Sequence, residues 1–192
     1  MKTELLKFSN RIQELSSITE EEILQNQDFF KIQTLKKGDH FLREGKICTN
    51  IAFINQGTFR IYRLKNGEEL NTCFCMKCDV MSSFESFVNQ TPSQDNIQAL
   101  EDAEFITLSH SNFIKLVASN PSWNSLRITL TDHECVRLAN RANTLSSETA
   151  LEKYQNLLVN EPEIIQRISN YHIASYLGIT RETLSRIRGQ IK

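Results

Sequence analysis

Ile173–Arg188 reads IASYLGITRETLSRIR, and the rest of the chain is best understood outward from it. As two helices joined by a tight turn, the stretch is internally consistent. Ala174 is small enough for a helix crossing, and Gly178, four residues on, can take the left-handed backbone that a short turn needs. Ile173, Leu177, Ile179, Leu184 and Ile187 supply a small core that fixes the interhelix angle. Thr180 caps the second helix, with Arg181 and Glu182 in its first turn. The arrangement is a helix-turn-helix. Arginine can grip guanine O6 and N7 through two bonds, and glutamate can accept from cytosine N4. Arg181, Glu182, Ser185 and Arg186, away from the apolar side, are therefore candidate base contacts. Thr180, Thr183, Arg188, Lys192 and His172 are candidates for phosphate contacts.

Charge is placed accordingly. The 192-residue chain carries a net charge of −1, which excludes a protein basic throughout. From Ile164 to Lys192 five basic residues (Arg167, Arg181, Arg186, Arg188, Lys192) stand against Glu182 alone, a local balance of +4. Within the opening stretch all three cations are arginines, which bring a planar fork as well as charge.

Upstream, from Asn120, the hydrophobic period is helical. Pro121 suits a first helical turn, and Ile128, Thr131, Cys135, Leu138, Ala142 and Leu145 step alternately by three and four, the spacing of a coiled-coil seam. Trp123, Leu126 and Leu130 form a second stripe. One long helix with two apolar stripes has two surfaces to cover, its own β domain and the same helix of a second copy, so a homodimer is expected. After Ser146-Ser147, ETALEKYQNLLVNEP (148–162) is another amphipathic helix, stopped by Pro162.

From Phe29 to Leu108 the chain alternates in short runs broken by Gly38, Gly45, Gly57 and Gly67. Lys37-Gly38-Asp39 and Lys65-Asn66-Gly67-Glu68 read as tight turns, and Asn-Gly is a strong hairpin signal. DNIQALEDAEFITLS (95–109) supplies closing strands. Strands at this spacing indicate a jelly roll, sandwich or barrel. Before them, Thr19 and Glu22 have capping-box spacing in a two-helix lead-in. The expected fold is α+β: an N-terminal β-roll with its helices (1–118), a long dimerisation helix (119–147) and a C-terminal helix-turn-helix domain (148–192).

MKTELLKFSNRIQELSS (1–17) mixes charges into its apolar residues, so neither a signal peptide nor a membrane span is expected, and the chain reads as cytoplasmic. Five cysteines, an odd number, argue against a disulfide framework.

With these residues in view the chain resembles the Crp/Fnr family of bacterial transcription regulators. The resemblance rests on KKGDHFLREGK (36–46), FINQGTFRIYRLKNGEEL (53–70) and LGITRETLSRIR (177–188). It implies a cyclic-nucleotide-binding-type roll, with double-stranded DNA, a second copy, RNA polymerase and a small-molecule effector as partners. In the cyclic-AMP receptor branch the recognition helix carries Arg-Glu-Thr and, after two more residues, Arg, reading a TGTGA-type half-site. Arg181, Glu182, Thr183 and Arg186 match that pattern. Members that bind cyclic AMP hold its ribose and phosphate with Gly-Glu and then Arg-Ser or Arg-Thr. Here Ser82-Ser83, before Phe84, and Ser93-Gln94 stand at those positions. Without the arginine a cyclic phosphate loses its main charged partner, and Asp95 nearby repels it. The resemblance thus implies an effector pocket at Ser82, Ser83, Phe84, Ser93 and Gln94 that takes something other than cyclic AMP.

Family members commonly continue past the recognition helix into a wing. The sequence stops at Lys192, from which weaker DNA binding and a shallower salt dependence are expected. The alternative is a small-molecule binding protein whose shortened DNA-binding end does not function.

Cys73, Cys75 and Cys78 in TCFCMKC (72–78) lack the spacing of a zinc or cluster motif. On a strand Cys73 and Cys75 share a face and are expected to pack as small buried hydrophobes, with no metal or cofactor. His40, His110, His133 and His172 have no cysteine or acid at ligand spacing. No phosphate loop, nucleophile elbow or carboxylate pair calls for catalysis.

Overall fold

The computed structural model describes residues 2–77 and 79–191. Helices α1 (Lys2–Leu15) and α2 (Glu20–Gln25) lead the chain. The start of α2 is a capping box. The Glu22 N–H donates to Thr19 Oγ1 at 3.2 Å, and the Thr19 N–H donates to the Glu22 carboxylate at 2.7 Å. That second bond holds the Glu22 carboxyl below the usual carboxylate range.

After a 3-10 turn (Gln27–Phe29), the described residues form eight strands and one helix: β1 (Phe30–Leu35), β2 (His40–Leu42), β3 (Asn50–Gln56), β4 (Phe59–Lys65), β5 (Glu68–Cys75), β6 (Val80–Met81), α3 (Phe84–Asn89), β7 (Asn96–Ala99) and β8 (Ala103–Ser109). They form two four-stranded sheets, ordered β1-β8-β3-β6 and β2-β7-β4-β5. The pairs β1–β8 and β3–β8 are antiparallel, with Phe30 opposite Leu108 and Phe53 opposite Ile106. Period-two alternation sends Phe105 to one face of β8 and Ile106 to the other. On the first face Phe105 meets Phe41 and Phe59 edge-on, each at 5.6 Å, which forms the core between the sheets. On the second, Phe8 of α1 lies 4.6 Å from Phe53 and 5.0 Å from Phe30. Covered on both faces, β3 is buried through Ile51–Ile54, and its run reads as continuously apolar.

Asn66 and Gly67 both take positive φ, 54° and 83°, as a two-residue hairpin turn requires. Gly57 is constrained more severely. Its φ is +111°, and a Cβ there would lie 2.5 Å from Ala103 Cβ and 2.8 Å from Ala103 Cα. Neither atom can swing aside. A Gly57→Ala variant should lose about 3 kcal/mol from backbone strain and overpacking together. A thermal melt should show this as a drop of about 10 °C, and an unchanged melt would refute the close approach.

Helix α4 (His110–Ser119) closes the roll, and α5 (Pro121–Ser147) begins at its proline. Trp123 and Leu126 are fully buried, with the Trp123 ring stacked on Phe30 at 6.0 Å. The second stripe therefore covers the β domain, with Leu130 half-buried at its edge. Helices α6 (Ala150–Asn160), α7 (Pro162–Arg167), α8 (Asn170–Leu177) and α9 (Arg181–Gln190) complete the chain. Pro162 does end α6, but it also opens α7, a helix the sequence reading did not anticipate; its missing N–H costs nothing at a first helical position. Tyr154, Leu157, Ile164, Ile168, Ile173, Leu177, Leu184 and Ile187 are all buried and form the core of these four helices.

Two compact units result, Met1–Ile61 with Cys75–His133, and Tyr62–Phe74 with Glu134–Lys192. Among the described residues no helix is long and apolar enough to cross a membrane.

Candidate nucleic-acid interface and effector cassette

Helix α8 ends at Gly178, whose φ is +67°, and the Ile179 N–H closes onto the Ala174 carbonyl at 3.0 Å. This closure ends the helix in one step and turns the chain back. Ala174 is 2% exposed at the crossing, with Ile173, Leu177, Leu184 and Ile187 buried beside it and Ile179 half-buried. Thr180 caps α9, its Oγ1 accepting from the Thr183 N–H at 3.2 Å. The turn and the cap thus set where α9 starts, and packing against α6 and α8 holds it there.

Arg181, Glu182, Ser185, Arg186 and Arg188 are exposed and, with Asn170, line a shallow groove of about 960 Å³. The Glu182 carboxyl is held below its usual range, first by its own backbone N–H and then by the Thr180 hydroxyl. Arg188 donates to Asn170 Oδ1 at the start of α8. Thr180 is exposed and Thr183 half-buried, their hydroxyls 3.1 Å apart. His172 is half-buried, its Nδ1 3.5 Å from Asn71 Nδ2. Lys192 lies outside the described residues, as does Cys78. On α5, Ile128, Cys135, Leu138, Ala142 and Leu145 are all exposed, and Thr131 is half-buried.

At the candidate cassette Ser83, Ser93 and Asp95 form a side-chain network. The Ser83 hydroxyl donates to Asp95 Oδ2 at 2.6 Å, and Ser93 Oγ lies 2.9 Å from Ser83 Oγ. The Asp95 N–H donates to Ser93 Oγ at 2.9 Å. All three residues are buried, Asp95 being 8% exposed. Ser83 occupies the N-cap of α3, yet its hydroxyl makes no cap bond there. Ser82 and Phe84 are half-buried and Gln94 is exposed. The structure therefore joins Ser83, Ser93 and Asp95 in one buried trio. Asp95 was legible only as a nearby charge, because its partners are set by a fold contact across twelve residues. Leu35, Leu42, Ile47, Cys48 and Phe105 line a separate cavity of about 160 Å³. That is smaller than the roughly 300–1,000 Å³ of ordinary ligand pockets.

Cys75 is buried, as expected for packing, but Cys73 is only half-buried. Strand β5 is the last of its sheet, so covering along it is uneven and Cys73 is left partly open. Burial pushes the Cys48 thiol up. Among the described residues no group of three His, Cys, Asp or Glu side chains could hold a metal ion.

A two-sheet roll, a long helix and an exposed, capped helix-turn-helix follow one another along the chain. Residues 32–120 match the cyclic nucleotide-binding domain family, and most of the chain has the fold of Crp/Fnr-type transcription regulators. FixK2 from Bradyrhizobium japonicum is similar with a TM-score of 0.72 at 20% identity, over 84% of this chain and 84% of that one. A protein assigned to the Crp/Fnr family from Eubacterium rectale gives 0.69 at 17%, over 84% and 77%. CLP, a c-di-GMP responsive global regulator from Xanthomonas campestris, gives 0.68 at 16%, over 88% and 89%. Likeness at these identities is likeness of fold. No match is found among curated protein sequences.

Proposed function

We propose that this chain is a sequence-specific, DNA-binding transcription regulator that acts as a homodimer and answers to an effector other than cyclic AMP. The observation that carries the reading is the exposed face of α9, where Arg181, Glu182, Ser185 and Arg186 project from a helix whose other side is buried at Leu184 and Ile187. In a dimer paired along α5, two such helices about 34 Å apart would enter successive major grooves. A gel-shift assay on a palindrome of TGTGA half-sites, against a scrambled duplex, tests it. Equal binding to both sequences would sink the reading.

The effector half of the proposal rests on Asp95. A phosphate entering the cassette would meet a buried carboxylate already bonded to Ser83, and it would find serine and glutamine where an arginine is needed. Titration calorimetry with cyclic AMP and cyclic GMP should therefore give no saturable heat up to about 1 mM, an affinity weaker than about −4 kcal/mol. Tight binding of either nucleotide would instead favour the second reading, a nucleotide-binding protein that does not engage DNA. The similar fold of CLP, described as c-di-GMP responsive, supports a roll of this type serving a ligand other than cyclic AMP.

A further inference from the structure

We propose that the β4–β5 hairpin is an autoinhibitory clasp on helix α8, a regulation that rests on the DNA-binding reading above. Ser175, in the second turn of α8, donates its hydroxyl hydrogen to the Glu69 carbonyl at 2.6 Å and accepts the Asn71 N–H at 3.0 Å. Strand β5 is the last of its sheet, and the hydroxyl bonds backbone groups that a further strand would otherwise pair. The contact is broad. Asn71 Nδ2 reaches His172 Nδ1, and the Phe74 ring packs on the Tyr176 ring at 5.2 Å. Arg141 of α5 covers Tyr176 from 4.1 Å and donates to its carbonyl. Burial pushes the Tyr176 hydroxyl up to about 12, so it stays neutral in this contact. His172, Ser175 and Tyr176 are spaced i, i+3, i+4, so one whole face of α8 is occupied by β5.

In a helix-turn-helix the first helix crosses the sugar-phosphate backbone. The clasp engages it in two ways that disfavour DNA. His172, in the first turn of α8, is turned toward Asn71. The bordering strand also carries Glu68 and Glu69, acids that repel phosphate, while the hairpin's basic Arg63 and Lys65 belong to β4, the far strand.

The clasp is also built to open. Asn71 is 2% exposed, and its Oδ1 has no hydrogen-bond partner among the described residues. A buried acceptor left unpaired weakens the docked state and brings the equilibrium within reach of a modest signal. Strand β4 begins in the first unit and ends in the hairpin, so the clasp is covalently continuous with the roll.

Two variants release it from opposite sides. Ser175→Ala removes the hydroxyl from α8, and Asn71→Pro removes the N–H from an edge strand, where proline is tolerated. Fluorescence anisotropy on the TGTGA palindrome should show both binding about tenfold tighter than the wild-type chain, with melting curves confirming that they fold. Unchanged or weaker binding by the folded variants overturns the clasp and leaves the DNA reading standing. If the wild-type chain and both variants fail to tell the palindrome from a scrambled duplex, the DNA reading fails. Hydrogen exchange then judges the contact itself: amides 69–74 should exchange faster in Ser175→Ala, and equal exchange refutes it.

Discussion

Replacing Arg181 and Arg186 together with alanine should lower affinity for the specific duplex by a factor between about 30 and 10⁴, while binding to a scrambled duplex falls far less. Each two-bond arginine–guanine contact discriminates by about 1–3 kcal/mol. Two of them sum to roughly 2–6 kcal/mol if they act independently, and each 1.4 kcal/mol is a factor of ten. Both side chains are exposed, so the fold loses nothing measurable and the melting temperature should hold. An Arg186→Lys variant separates geometry from charge. Lysine keeps the cation but lacks the fork, so the specific duplex should suffer and the salt dependence should stay unchanged. If the double variant bound both duplexes as the wild-type chain does, α9 would not be the reading element.

Why the helix-turn-helix could be read from sixteen residues while the cassette could not is a matter of distance along the chain. Gly178, Thr180 and Ala174 act on neighbours within five residues, through a left-handed turn, a cap and a crossing. Asn66-Gly67 and the Thr19–Glu22 box are equally local, and they too stand where the sequence places them. The lead-in helices, the roll and the long helix follow from periodicity, since each needs only a repeated apolar position to declare itself. Other features depend on strands separated in sequence. Ser83, Ser93 and Asp95 meet because β7 brings the third beside the first. In the sequence they register only as a missing arginine and a nearby acid. Ser175 touching Glu69 and Asn71 spans more than a hundred residues, and nothing in a serine on an amphipathic helix announces it. Helix α7 was missed for a different reason. Proline both stops and starts helices, and five residues after it are too few to show a period.

Leu138→Glu should convert the proposed α5-paired dimer to a folded monomer and reduce affinity for a palindromic site by about 100-fold or more. Ile128 is 45% exposed, Leu138 48% and Leu145 45%, large aliphatic side chains in one row on a helix whose other stripe is already covered. A row of this length left in water is unfavourable by about 1.5–3 kcal/mol for each residue that could be buried. In a two-fold dimer every seam residue appears twice, so one substitution places two carboxylates in the interface, unpaired and desolvated. The monomer itself loses no core contact, because Leu138 is already half in solvent, and its circular dichroism and melt should resemble the wild type. DNA affinity falls because linked half-sites gain about 10² to 10⁴ in avidity that a single helix-turn-helix cannot recover. The salt slope should fall as well, since half the phosphate contacts are gone. Val136 makes the assignment sharp. It is 60% exposed, more than Ile128, Leu138 or Leu145, yet it lies off the three-and-four row. Sedimentation should find Val136→Glu dimeric and Leu138→Glu monomeric, and the opposite pattern would move the interface to another face of α5.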